Sequence, residues 1–268
     1  MRKLFTLFCA ALLCACGMDA LQDSPGTGKT VLSVSTPSTR TVLGDESAGT
    51  RQIFWSDGDR LAVNGTMSQE LSGIAAGCTN AEFTFGETLA APYDAVYPAD
   101  IWKDASTVTL PLKAQNGMLA LGGRSDNPGL SLSPLVSCIH LIIKKQDATE
   151  ADSHQIAYVE ISTESTRLSG DFTIDYGNAE LTPAAGASAN DCKVRVVGPW
   201  DLSTDVALDV FVPVPAGTYG FKVKVVDVKG HFMTVSTTSA KNMVKGVIKA
   251  FPEIIFVPTG TQFDVVIT

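Results

Sequence analysis

Apolar and polar residues alternate along most of this chain with a period of two, the repeat of a strand that buries one face. Tyr219, Phe221, Val223 and Val225 fall on one side of such a run, and Lys222, Lys224 and Val226 on the other. Val206, Leu208, Val210 and Val212 alternate with Ala207, Asp209 and Phe211. Val194 and Val196 sit between Lys193, Arg195 and Val197, and Phe172, Ile174 and Tyr176 between Thr173 and Asp175. Ala157, Val159 and Ile161 oppose Tyr158, Glu160 and Ser162, and Ile139, Leu141 and Ile143 oppose His140, Ile142 and Lys144. Further strands are expected at residues 60–64, 82–85, 95–98 and 107–112. Helical spacing is confined to short pieces near 147–155 and 239–245.

Turn formers separate these runs: Ser56-Asp-Gly-Asp59, Asn116-Gly117, Pro215-Ala-Gly217 and Lys229-Gly230. Many short strands with regular turn signals predict an all-β protein of β-sandwich architecture. The polar stretch 146–155 is the best interior boundary. It divides the body into an N-terminal sandwich, 30–147, and a C-terminal one, 148–268, each of ordinary domain size.

The start of the chain breaks the pattern. Arg2 and Lys3 precede residues 4–13, which are apolar except for Thr6. About ten apolar residues are too few to span a bilayer as a helix, which takes roughly twenty. The segment therefore reads as the apolar region of an export signal. It runs into Leu13-Cys14-Ala15-Cys16-Gly17, which resembles a bacterial lipobox. Cys16 is the expected lipidation site because Ala15 supplies the small residue before it, with Cys14 second. Residues 1–15 are then a lipoprotein signal peptide and 16–29 a flexible tether. Two or three acyl chains would make the anchor stable, each buried CH₂ contributing about 0.8 kcal/mol.

Charge narrows the partners. Lys plus Arg total 20 against 28 for Asp plus Glu, a formal charge of −8, and removing Arg2 and Lys3 takes it to −10. An acidic chain without a basic stripe is repelled by phosphate backbones, so no nucleic-acid partner is expected. Beyond the signal and the lipidation site, Cys78, Cys138 and Cys192 remain, far apart and odd in number. They allow at most one internal disulfide, and small core hydrophobes is the simpler reading of all three.

Ser24-Pro-Gly-Thr-Gly-Lys-Thr30 reproduces the end of an ATPase phosphate loop, but Asp23 replaces the leading glycine. That loop also needs a strand before it and a helix after it, whereas residues 31–36 alternate like a strand. ATP binding is rejected. His140, His154 and His231 have no second metal-type residue at strand or helix spacing, and hydrolase motifs are missing. Asp57 and Asp59 suit a tight turn better than a calcium loop, which needs more acidic ligands and a closing Glu. The sequence therefore predicts no catalytic residue, no metal, no cofactor and no enzyme.

In order along the chain stand Cys16, Ser38-Thr-Arg-Thr41, Phe54-Trp-Ser-Asp-Gly-Asp-Arg-Leu-Ala-Val63, Val96-Tyr-Pro-Ala99, the run at 135–144, and Pro215-Ala-Gly-Thr-Tyr-Gly-Phe221 with its hairpin. Together they resemble the fimbrillin-like family of type V pilus lipoproteins. The resemblance implies two tandem β-sandwiches of transthyretin-like, Greek-key type, export to the outer membrane, and assembly with other pilus subunits by β-strand exchange. It also implies cleavage after an arginine by a surface protease, here Arg40 or Arg51. The strand so released would be residues 30–36, with Leu32 and Val34 facing inward. The matching donor strand would be residues 262–268, presenting Phe263, Val265 and Ile267. The rival reading is a surface lipoprotein that does not polymerise and binds glycan or a partner protein through its loops, with Trp102 and Trp200 as stacking platforms. Core or turn packing is the simpler role for both. An extracellular hydrolase on a β scaffold is a third, without motif support.

Overall fold

The computed structural model describes residues 28–36, 53–145, 154–202 and 207–261. Its regular structure is strand apart from one short 3₁₀ turn, Ala99–Ile101. The protein is an all-β sandwich-type fold.

The strands make several sheets around two clusters of buried side chains. Around the first cluster, Thr30–Ser35 lies between Asn80–Phe85 and Gly129–Ser131. A second sheet runs in the order Ser133–Pro134, Leu121–Ser125, Tyr93–Tyr97, Ala62–Val63 and Thr66–Met67. Both sheets send side chains inward, among them Leu32, Phe83, Phe85, Val96, Leu121 and Leu130, all at most 2% exposed. A third sheet joins Glu180–Pro183, Gly170–Asp175, Thr107–Leu110 and Trp102–Asp104, and its Phe172 and Ile174 fill the same cluster.

The second cluster is framed by two sheets. One runs Gly260–Thr261, His231–Ser236, Lys222–Asp227, His154–Ser162, Lys193–Leu202 and Lys113–Ala114. The other has Val136–Lys145 at its centre, antiparallel to Leu208–Pro215 and parallel to both Ile248–Ala250 and Ile254–Phe256. The alternation of Ile139, Leu141 and Ile143 is realised here, all three fully buried.

The expected boundary at 147/148 falls outside the described residues. The two clusters exchange segments across it. Val136–Lys145, expected with the first unit, keeps Val136 and Cys138 in the first cluster but sends Ile139, Leu141 and Ile143 into the second, and Ala114 also joins that cluster. Conversely Phe172, Ile174, Tyr176 and Ala179 pack in the first. A hydrophilic stretch marks a surface connection, not the edge of a core, and so it could not report this interchange.

The helical spacing near 239–245 is also corrected. Lys241–Met243 is a strand paired antiparallel with Gly217–Tyr219. Met243 is buried while Lys241 and Asn242 remain half-buried or exposed, so a three-residue strand stood in for a helical face.

Candidate functional site

The first strand occupies an unusual place. Its register with Asn80–Phe85 is antiparallel, running from Thr30 opposite Phe85 to Ser35 opposite Asn80. On its other side Ser33, Val34 and Ser35 pair in parallel with Gly129, Leu130 and Ser131. Neither neighbour adjoins it in sequence, so no hairpin ties the strand to the sheet it completes. The pleat sends Leu32 and Val34 inward, both 0% exposed, and leaves Val31 and Ser33 outside. The inward orientation of this pair is the one predicted by alternation.

Polar contacts fix the strand's ends and middle. Thr30 Oγ1 accepts the Leu89 amide at 2.7 Å. Thr36 Oγ1 donates to the Ile53 carbonyl at 2.8 Å. Between them, the Trp55 indole Nε1–H donates to the Val34 carbonyl at 3.2 Å. Trp55 is itself 2% exposed and meets Phe83 and Tyr97 edge-on, with ring centroids 5.0 and 5.2 Å away.

The Ser56-Asp-Gly-Asp59 turn explains why Trp55 stands there. Asp59 Oδ2 accepts the Ser56 amide at 2.8 Å, and Gly58 takes φ 89°, a left-handed conformation that glycine adopts freely. Asp59 Oδ1 accepts the Tyr97 hydroxyl at 2.7 Å, which holds that ring against the indole. Burial, then the neighbouring Asp59 carboxylate, pushes the Tyr97 phenol well above its ordinary pKa, so it stays a donor. Asp57 Oδ1 accepts the Ile74 amide at 2.8 Å. Both aspartates of the sequence motif are thus engaged in building a turn.

Cys16, Arg40, Arg51, Phe263, Val265 and Ile267 all lie outside the described residues. Of the residues expected to take part in assembly, Leu32 and Val34 are among the described ones, and they lie in an ordinary filled strand position. Sequence reasoning did not find the Trp55–Val34 bond. The signal available was a tryptophan beside a turn, which says that the indole is placed but not what it meets.

The other flagged residues resolve into structural roles. Thr30 opens a strand, so the helix demanded by a phosphate loop is not formed there. His140 stacks on Phe211 at 4.3 Å between centroids, and its Nε2 lies 2.6 Å from Asp209 Oδ1. His231 Nδ1 lies 2.9 Å from Asp227 Oδ2 across a tight turn. Trp102 packs on the first cluster and over Gly65, where a Cβ would come within 2.8 Å of the indole. Trp200 packs on the second cluster. Cys78, Cys138 and Cys192 form no disulfide with one another, and the last two are buried. Among the described residues no three His, Cys, Asp or Glu side chains gather as a metal site.

No family model matches the chain, and no curated protein does. Several solved structures are similar to it. A proposed cell adhesion protein of Bacteroides ovatus is 11% identical, with a TM-score of 0.49 over 88% of this chain and 95% of that one. Another from Bacteroides fragilis is 10% identical, with a TM-score of 0.48 over 88% and 99%. A fimbrial protein from Bacteroides ovatus is 11% identical, with a TM-score of 0.34 over 85% and 49%. At these values the likeness assigns this chain no function, which has to be argued from its own slot and strands.

Proposed function

We propose that this chain is a structural or adhesive subunit of a surface fimbria that polymerises by strand exchange. In this reading it is exported as a lipoprotein, anchored at the outer membrane through Cys16, and passes into the fimbria after cleavage at Arg40 or Arg51. The observation that supports it best is the first strand, inserted between two partners that are not its sequence neighbours, with its whole apolar face buried.

The physics favours a cleavage-gated exchange. Burying Leu32 and Val34 is worth roughly 1.5–3 kcal/mol each. The donor residues Phe263, Val265 and Ile267 offer an apolar face of the same order. A resident strand joined to its own fold has an effective concentration in the millimolar range or above, so a donor from another copy does not displace it. Cutting at Arg40 or Arg51 removes that advantage. The strand stays on the lipidated fragment with Cys16, the body parts from it, and a neighbour's strand restores the ladder and refills the pockets. Because donor and acceptor are different surfaces, the contact is head-to-tail and propagates into a filament.

Deletion of residues 262–268 tests the reading. SDS-resistant ladders should disappear while the monomer keeps its unfolding midpoint. Undiminished ladders from the deleted chain would remove the donor role.

A further inference from the structure

We propose that the second sandwich carries an additional strand-acceptor trough, distinct from the slot of the first strand, and that its occupant is the 262–268 segment of a second copy. Residues 262–268 keep here the donor role proposed above. What is new is a docking place that is open before any cleavage.

The two edges of the second sandwich are built differently. On one side Leu208–Pro215 is closed to pairing. The Asn116 side chain accepts the Phe211 amide at 2.7 Å and donates to the Asp209 carbonyl at 3.1 Å, and the Gly117 amide donates to the Phe211 carbonyl at 3.2 Å. At the next outward positions stand Pro213 and Pro215, which have no N–H to offer. Side-chain capping and proline are the usual means by which an edge is kept from recruiting strands.

The opposite side has neither device. Thr259 donates to the Phe232 carbonyl at 2.8 Å, so Phe232 turns its backbone outward. The period of two turns Thr234 and Ser236 the same way. No strand pairs with that side of them among the described residues. Facing this edge across a gap is Ile254–Phe256, paired on one side with Val136–Lys145. Between the two edges runs a trough of about 390 Å³, walled by Val223, Met233, Val235, Phe251, Ile254 and Ile255. Ile255 is 40% exposed and neighbouring Val257 39%, so the apolar character reaches the rim.

Size and alternation fit an extended strand that puts three apolar side chains on one face, as residues 262–268 do with Phe263, Val265 and Ile267. Direction selects a second copy as the source. Thr261 pairs with His231 and Gly260 with Phe232, so at Thr261 the chain is heading past Gly230, away from Thr234 and Ser236. Seven residues reach about 23 Å at ~3.3 Å each and have no length to spare for a reversal. The lining carries one charge of each sign, Lys241 and Glu253, and Glu253 is already paired with Lys144 at 2.6 Å, which leaves Lys241 to face Asp264 of the entering strand. The slot of the first strand is filled in the same structure, with Leu32 and Val34 fully buried, whereas the trough is accessible.

The test is binding of the synthetic peptide Gln-Phe-Asp-Val-Val-Ile-Thr to dilute, uncleaved full chain, read by fluorescence anisotropy and by amide hydrogen exchange. The expected result is saturable binding with slowed exchange at Thr234 and Ser236, weakened at least about tenfold by Thr234→Pro or Val235→Glu. Thr234→Pro removes an outward N–H and no ladder bond, and an unchanged unfolding midpoint confirms that the variant is folded. No binding to the uncleaved chain, or binding indifferent to both variants, overturns the trough. The earlier proposal fails separately, if Thr234→Pro chain that has lost its first strand does not take up the peptide.

Discussion

The Trp55 indole donates its Nε1–H to the Val34 carbonyl at 3.2 Å, joining the first strand to the core by a side chain from outside its own sheet. Val34 also pairs with Ala81 and with Leu130, so this one residue is held on three sides. A buried carbonyl engaged in this way loses a partner when the indole is removed. Trp55→Phe should destabilise the fold by about 1–3 kcal/mol. Because the lost bond ends on the first strand, amide exchange should rise at Val34 and Ser35 more than in Tyr93–Tyr97, and hydrogen exchange with mass spectrometry checks it.

A second prediction concerns pH. The Asp227 side chain is 1% exposed; its Oδ1 accepts the Lys229 and His231 amides at 2.9 and 2.8 Å, and its Oδ2 meets the His231 ring at 2.9 Å. Burial alone would raise its pKa, but the hydrogen bonds and charge of His231, with the Lys229 amide, bring it below the usual carboxylate value. A folded pKa below the unfolded value of about 3.9 means stability that is present above that pH and is lost as pH falls through the folded pKa. Asp227→Asn should therefore cost about 1–3 kcal/mol at neutral pH, and the gap to the parent should narrow steadily below about pH 4. Urea unfolding across that range measures it.

The strand Leu121–Ser125 yields a third. A Cβ on Gly123 would lie 2.8 Å from the Ser131 carbonyl oxygen, a backbone atom that cannot swing aside. Gly123→Ala should cost about 1–3 kcal/mol through overpacking, although the same exchange in an open strand would be stabilising. Thermal unfolding decides between the two signs.

That glycine pair also shows what the sequence could not say. Gly122 and Gly123 are poor strand formers by propensity, so residues 121–125 carried no strand signal. They are glycine because Leu135 and the Ser131 backbone press against them, a reason found only in the tertiary packing. Ile254–Phe256 was missed because three residues are too short to show a period. By contrast the runs through Val210 and Val212, Val223 and Val225, and Ile139 to Ile143 were legible, since each buries one face continuously. The candidate site was half legible. Alternation placed Leu32 and Val34 inward, but pairing partners 47 to 96 residues distant leave no trace in a single sequence.

Formation of SDS-resistant ladders requires the first strand to leave its slot, whatever weaker docking the second sandwich allows before cleavage. Ser33 turns its amide to the Pro128 carbonyl, so opposite Glu82 it forms a non-hydrogen-bonded pair, the close type of cross-strand pair. Both residues are exposed, and cysteines at such a pair fall within disulfide reach without disturbing the core. The decisive measurement is SDS-resistant ladder formation by the Ser33→Cys, Glu82→Cys chain after arginine-specific cleavage, oxidised and then reduced. Monomers are expected while the disulfide holds the strand in place and ladders once it is reduced; ladders from the fully oxidised chain would rule out exchange at this slot.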